Sequence, residues 1–308
     1  MKIDTKNDII IPAWKLIEND KKIKKFYFLP WILSIIFLSV LLVYQTIYTY
    51  TKITHTEDQT IQTILNFIHS AYITEFIIIA IIFIISYLLI LPIFEWALVR
   101  YIAKKDTTRS ANIWESLSIW LYKFLPIFEY NNIFSEFKLL SVLNWYLFIL
   151  RFFDFKHINI ISYIFIWIFI FSIIINILFS YSKFIIILEN KKIFESIWKS
   201  TKIALLNLKN TFKIYFLMFI LNIRVLLNFI VFLIFPFIVI FVIWFITTKL
   251  LQTLAIIILI SIFILFILFL WYITWVLESL KMSIWYFAYK KWNERLQSIE
   301  NELKDNTK

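Results

Sequence analysis

Leu254–Leu277 reads LAIIILISIFILFILFLWYITWVL, without a single charge from end to end. A helix needs about 20 predominantly apolar residues to cross the hydrocarbon core of a bilayer. The stretch therefore predicts a transmembrane helix, and the rest of the chain agrees with it. Of the 308 residues, 62% are hydrophobic, against roughly 45–50% in ordinary soluble domains. Too few polar residues are present to cover a soluble core. The reading is a single polytopic, all-α integral membrane domain.

Working outward from that stretch, five more apolar runs stand out, giving six candidate spans at about 26–48, 75–98, 138–153, 158–182, 214–246 and 254–277. The run at 138–153 is the shortest. It contains Lys138 and Asn144 and ends at Arg151 and Asp154, so it reads either as a tilted span or as a re-entrant segment. The run at 214–246 is long for one crossing. Pro236 within it predicts a kink, because proline lacks the backbone donor.

Lysine and arginine orient the chain. The segment 1–25 carries 7, the 99–138 region 6, the 183–213 region 7 and the stretch after 277 carries 6. The alternating regions hold only Lys52, Arg151, Lys156 and Lys249, with Arg224 apart from both groups. Positive charge collects on the cytoplasmic side of membrane proteins. The expected organisation is a cytoplasmic N-terminal segment (1–25), a membrane domain (26–285) and a polar cytoplasmic tail (286–308), in a cytoplasmic membrane with both termini inside. The net charge of +11 thus has a topological cause, and nucleic acid is not an expected partner. The polar segment 1–25, with no small-residue cleavage site after it, does not read as a cleavable signal. The absence of Cys excludes disulfides, thiolate nucleophiles and Cys-based metal sites.

Two short motifs match, Ile113-Trp114-Glu115-Ser116-Leu117 and Ile193-Phe194-Glu195-Ser196-Ile197. Each opens an amphipathic stretch. In the second, Ile193, Phe194, Ile197, Trp198, Thr201, Ala204, Leu205, Leu208 and Phe212 share an apolar stripe, with Glu195, Lys199, Lys202, Lys209 and Lys213 mostly opposite. In the first, Asn112 is placed to cap the helix with Glu115 at the third helical position. Basic amphipathic helices beside spans belong in the headgroup plane. Lys191, Lys192, Lys199, Lys202, Lys209 and Lys213 are accordingly candidate contacts to lipid headgroups, and the expected partner is the bilayer, anionic lipid in particular. The segment Ile11–Ile17 reads as a third copy, which predicts three units of interfacial helix plus membrane hairpin.

The stretch Phe184–Ser200, FIIILENKKIFESIWKS, has an apolar run, an acidic turn and a helix carrying Ser and Trp into the next span. It resembles the membrane domain associated with some glycerophosphoryl diester phosphodiesterases, and related bacterial six-span families. The resemblance is clear around this stretch and loose over the span layout. It implies a membrane scaffold and transfers no catalytic residue, since the phosphodiesterase itself is a separate soluble barrel.

Arg224 is the sharpest single candidate. It lies about 15 Å along its helix from Ile214 at 1.5 Å per residue, and an arginine at mid-bilayer costs roughly 2.5–3.5 kcal/mol on insertion scales. Asn228 shares its face at i+4. Asn176 in the fourth span completes a candidate intramembrane polar set, although an Asn in a span more often bonds a neighbouring helix. The bland reading of Arg224 is snorkelling toward the interface. Glu95 with Arg100, and Glu278 with Lys281, read as ion pairs at span ends. His55, Glu57, Asp58, His69 and Glu75 match no metal-binding spacing, and no catalytic motif is present, so no metal, cofactor or catalytic residue is expected. The leading functional reading is a non-enzymatic membrane scaffold that engages anionic lipid. The alternative is a transporter or channel with Arg224 in its pathway.

The chain has no Gly and 13 Trp, where average usage predicts about 22 Gly in this length. The abundance of Ile, Lys, Asn and Phe suggests AT-rich coding. UGA is read as Trp in some AT-rich bacteria and as Gly in others. This predicts that some of the 13 Trp stand where the native chain has Gly, with Trp120 and Trp167 as examples. The competing reading is a real aromatic belt, which suits Trp31, Trp244, Trp285 and Trp292.

Overall fold

A computed structural model describes residues 4–26, 28–30, 32–33, 36, 40, 56–108, 111–118, 120–135, 137, 141–143, 145–146, 148–149, 158–245 and 248–306. Those residues are predominantly helical, with no strand among them. Most of the runs at 26–48 and 138–153, including Trp31, Lys138, Asn144, Arg151 and Asp154, lie outside the described residues, as does His55. The side chains of Trp120, Arg224, Asn228 and Pro236 lie outside them too, although their backbone is helical.

A short π-helical turn, Lys6–Ile10, leads into α1 (Ile11–Asn19), where Pro12 occupies the first turn and its missing donor costs nothing. Asp20 breaks the chain direction and caps α2 (Lys21–Lys25), accepting the Lys22 N–H at 2.8 Å. α3 (Glu57–Ile68) precedes the 36-residue α4 (Ile73–Thr108). α5 (Ile113–Ser118) and α6 (Trp120–Ser135) follow, then α7 (Ile158–Leu178), α8 (Ser182–Glu189), α9 (Ile193–Leu206), α10 (Leu208–Phe245) and the 58-residue α11 (Lys249–Asn306).

The long helices change character along their length. In α4 the residues before Pro92 are largely exposed, with Ile79 and Ile82 among them, whereas Trp96–Val99, Tyr101 and Ile102 are buried all round. A helix apolar on every side suits only a core or lipid, and α4 presents an exposed apolar length followed by a length buried in the core. In α11 the Leu254–Phe269 region is largely exposed, while Leu277, Leu280, Ile284, Phe287, Ala288, Trp292 and Leu296 are buried at helical spacing. In α10, Ile214 and Met218 are buried near the start. Together with Ile9, Ala13 and Ile17 and most of α8, these segments form one hydrophobic core. That core gathers the helix ends that lie nearest the basic segments of the sequence.

By length and composition, α4 and the run Ile158–Glu189 are apolar enough to cross a membrane. A third candidate is the pair Ile193–Leu206 and Leu208–Ile223, bent by 99°. The Leu254–Leu277 stretch lies wholly within α11, where Thr253–Phe266 forms a shorter apolar segment. The described chain is thus an all-helical protein with two or three helices suited to spanning a membrane.

Three polar nodes cross-link the core layer. Asp20 accepts the Tyr101 hydroxyl at 2.9 Å and lies 3.3 Å from the Lys105 ammonium. Asp106 accepts from Tyr286 at 3.1 Å and from Lys290 at 2.5 Å. Glu189 accepts from Tyr289 at 2.6 Å and from Lys199 at 2.5 Å. Each is a carboxylate shared by a phenol and a lysine; at Asp20 and Asp106 these two lie four residues apart on one distant helix, and at Glu189 they come from different helices. Burial, helped by the neighbouring carboxylate, pushes the Tyr286 and Tyr289 phenols well above their ordinary range.

Candidate functional site

The turn between α8 and α9 is built around Glu189. Its two lysine neighbours, Lys199 at 2.5 Å and Lys191 at 3.4 Å, come from α9 and from the turn itself. Asn190 ends α8 in the left-handed conformation, φ 57° and ψ 32°, a place usually held by Gly or Asn. Lys192 is extended, and its carbonyl accepts both the Ser196 N–H (2.9 Å) and the Ser196 hydroxyl (2.8 Å). α5 opens in the same way. Ser116 donates its N–H (3.1 Å) and hydroxyl (3.0 Å) to the Asn112 carbonyl. The matched motifs thus place a buried serine in the same local geometry twice. Glu115 in the first copy also accepts from Lys104 at 2.5 and 2.6 Å.

At 100° per residue, Ser196, Ser200, Ile203 and Ala204 fall on one face of α9, and all four are buried. The Ser200 hydroxyl donates to the Leu178 carbonyl at 2.7 Å and accepts the Tyr181 N–H at 3.1 Å. Small side chains let helices approach closely, and here they let α9 lie directly on the α7–α8 junction. The stripe expected from sequence divides in the structure. Ile193, Ile197 and Ala204 pack on the core, but Phe194 (84% exposed), Trp198 (67%) and Leu205 (58%) project outward. The buried face of α9 carries Ser196, Ser200 and Ala204 beside Ile203, while the phenylalanine and tryptophan of the stripe stay outside the close contact.

Asn207 separates α9 from α10. Its amide donates to the Ile203 carbonyl at 3.1 Å, and its oxygen accepts from Arg295 at 2.8 Å. The helix axes turn through 99° there. Tyr181 reaches across the corner to Thr211 at 3.0 Å.

The six candidate headgroup lysines separate into two groups. Lys191 and Lys199 are held by Glu189. Lys202 is exposed, 4.0 Å from Glu300 and 6.0 Å from the Trp198 ring. Lys209 and Lys213 are exposed along the first turns of α10, and Lys192 lies at the turn. Asn176 donates to the Phe137 carbonyl at 2.5 Å and to the Ser172 carbonyl at 2.8 Å, tying α7 to the segment before it.

Two sequence readings of ion pairs meet different outcomes. Glu278 does bond Lys281, which also donates to Asn222 at 2.8 Å. Glu95, however, pairs with Lys183 at 2.6 Å, and Arg100 lies over the Trp96 ring at 5.3 Å. The spacing of Glu95 and Arg100 turns them to different sides of the helix, and α8 brings Lys183 to the carboxylate. Sequence reasoning missed Lys183 and the tyrosine nodes, whose partners are distant in the chain. His69 bonds the Leu65 carbonyl at 2.7 Å, and no group of three metal-ligating side chains occurs among the described residues.

Comparison with known proteins finds no matching family model, no matching curated protein and no matching solved structure.

Proposed function

We propose that the protein is a non-enzymatic, multi-span membrane scaffold whose α9 lies in the cytoplasmic headgroup plane and engages anionic lipid. The corner at Asn207 carries this reading. A helix turned 99° from α10 runs parallel to the bilayer surface when α10 crosses it. On that helix Phe194, Trp198 and Leu205 form an exposed apolar ridge, with the ammonium of Lys202 beside it. Apolar residues inserted at the interface and flanking lysines are the two components of interfacial helix binding, and each lysine near an anionic surface adds about 1 kcal/mol.

The proposal includes six spans, cytoplasmic termini and three related units opened by α1, α5 and α9. The paired geometry of Ser116 and Ser196 supports the last two units, and the buried Ala13 with exposed Trp14 in α1 supports the first. The likeness of the Phe184–Ser200 stretch to membrane domains associated with phosphodiesterases fits the same scaffold role.

The chain's lack of cysteine makes the test clean. Phe194→Cys, labelled with an environment-sensitive fluorophore in the full-length protein, is reconstituted into vesicles. A blue-shifted emission that strengthens with anionic lipid content is expected. Emission characteristic of water in every lipid sinks the interfacial placement, and an equal shift in zwitterionic vesicles sinks the anionic preference.

A further inference from the structure

A cavity of about 240 Å³ lies where α6, the end of α7, α8, the start of α10 and α11 meet. Its wall is mainly aromatic, with Phe134, Phe179, Tyr215 and Trp285 among its residues, and Lys183 and Asn131 supply polar groups. The volume is below the roughly 300–1,000 Å³ of pockets that enclose a drug-sized ligand, so the cavity suits a small headgroup-sized group. Its depth is defined by the elements that line it. Phe179 follows the apolar run of α7, Tyr215 is near the start of α10, and Trp285 comes after the apolar run of α11. In the membrane reading above, on which this inference rests, that level is the lipid headgroup layer.

The polar chemistry is specific. Lys183 and Glu95 form an ion pair at 2.6 Å, with side chains only 21% and 18% exposed. An ammonium has three donors, and Glu95 is the one hydrogen-bond partner of Lys183 among the described residues. Two donors are left for a ligand oxygen. The Tyr215 hydroxyl and the Asn131 amide also have no protein hydrogen-bond partner among the described residues. Three donor groups therefore line one cavity, each able to donate to an anionic oxygen. Glu95 keeps the site close to neutral, so a ligand with uncompensated negative charge gains little by entering. Aromatic faces attract ammonium groups. Phe134, Phe179 and Trp285 provide such faces in the same cavity.

We propose that this cavity binds an amine–phosphate zwitterion, the headgroup of a phospholipid, with the phosphate on Lys183, Tyr215 and Asn131 and the ammonium against the aromatic wall. The preference runs opposite to that of the α9 lysines, so the two proposals fail separately.

The test uses the full-length protein in detergent and native mass spectrometry with dihexanoyl phosphatidylethanolamine or dihexanoyl phosphatidylglycerol. Phosphatidylethanolamine is expected to bind more tightly, and Tyr215→Phe to weaken it about tenfold, the loss of one hydrogen bond to a charged group. Lys183→Met alone removes the cation beside the partly buried Glu95 carboxylate, so the charge-neutral pair Glu95→Met with Lys183→Met is used as well. With its thermal transition intact, that double variant is expected to lose the selectivity. Equal or tighter binding of phosphatidylglycerol by the unaltered protein overturns the proposal, as does a folded double variant that keeps the selectivity. Soluble phosphoethanolamine separates the sources. Full displacement of the lipid assigns the site to a free phosphate ester of the same chemistry, and failure to displace it assigns the site to the membrane lipid.

Discussion

Glu189 joins a phenol and two ammonium groups at one carboxylate, and its loss should be felt far from the turn it caps. Hydrogen bonds involving a charged partner contribute about 1.5–3 kcal/mol each, and Glu189 is partly shielded from water. Glu189→Gln is expected to cost about 2 kcal/mol, read as a lower thermal transition in detergent, while Lys191→Ala, whose ammonium lies 3.4 Å away, should change it little. The tyrosines predict a pH response. Tyr286 and Tyr289 have phenols raised by burial and then by their carboxylate neighbours. A phenol raised in the folded state contributes stability that is fully present below its ordinary value near pH 10. That contribution is lost as pH rises toward and through the raised value. Thermal stability is therefore expected to fall progressively above about pH 10, and a Tyr286→Phe/Tyr289→Phe double variant should show a shallower fall. A slope unchanged by the double variant would remove these phenols as the cause. None of this was legible in the sequence. Tyr101 and Asp20 are 81 residues apart, Tyr289 and Glu189 100, and Lys290 and Asp106 184, so only the packed fold pairs them.

At the level of the helices, the sequence was most readable where the signal is local. Apolar runs mark α4 and the run Ile158–Glu189 as helices suited to cross a membrane, because that suitability depends on length and composition alone. The start of α9 was readable because the motif at Ile193 repeats the one at Ile113. What periodicity could not show was which apolar side chains α9 turns inward. Phe194 and Ile197 look equivalent on hydropathy, yet one is exposed and the other packed on the core. The difference comes from how closely α9 approaches its neighbours. The inner face carries Ser196, Ser200 and Ala204 beside Ile203, and serine and alanine recur at other buried positions, including Ser172, Ser279, Ser283, Ala97 and Ala288. They give the close approach that glycine commonly provides in membrane helices. Ser200→Leu is expected to force α9 from its seat and cost about 1–3 kcal/mol, whereas Phe194→Ser, at an exposed position, should leave the thermal transition unchanged. Thermal melting of the two variants separates these roles. A Ser200→Leu protein as stable as the parent would contradict the close packing.

Across the whole molecule, the core is concentrated where the helix ends beside the basic segments meet, and the apolar lengths beyond it present their side chains outward. Trp167 (72% exposed) and Trp244 (80%) are on such lengths, while Trp96 (2%) and Trp292 (0%) are inside the core. Every described tryptophan has helical backbone. The intact mass of the protein from its native host decides whether all 13 are tryptophan. The reading of some as glycine predicts a mass lower by whole multiples of the difference between the two residues. A mass equal to that of the written sequence rejects it and makes serine and alanine the chain's own means of close helix contact. The backbone at Asn190 bears on the same question, for it is the only described residue with positive φ. L-amino acids resist that mirror-image conformation, and besides glycine it is asparagine and aspartate that adopt it most readily. A chain written without glycine thus reverses handedness through a carboxamide. Position 190 is consequently under a stereochemical constraint, where a valine or isoleucine fails because of its branching.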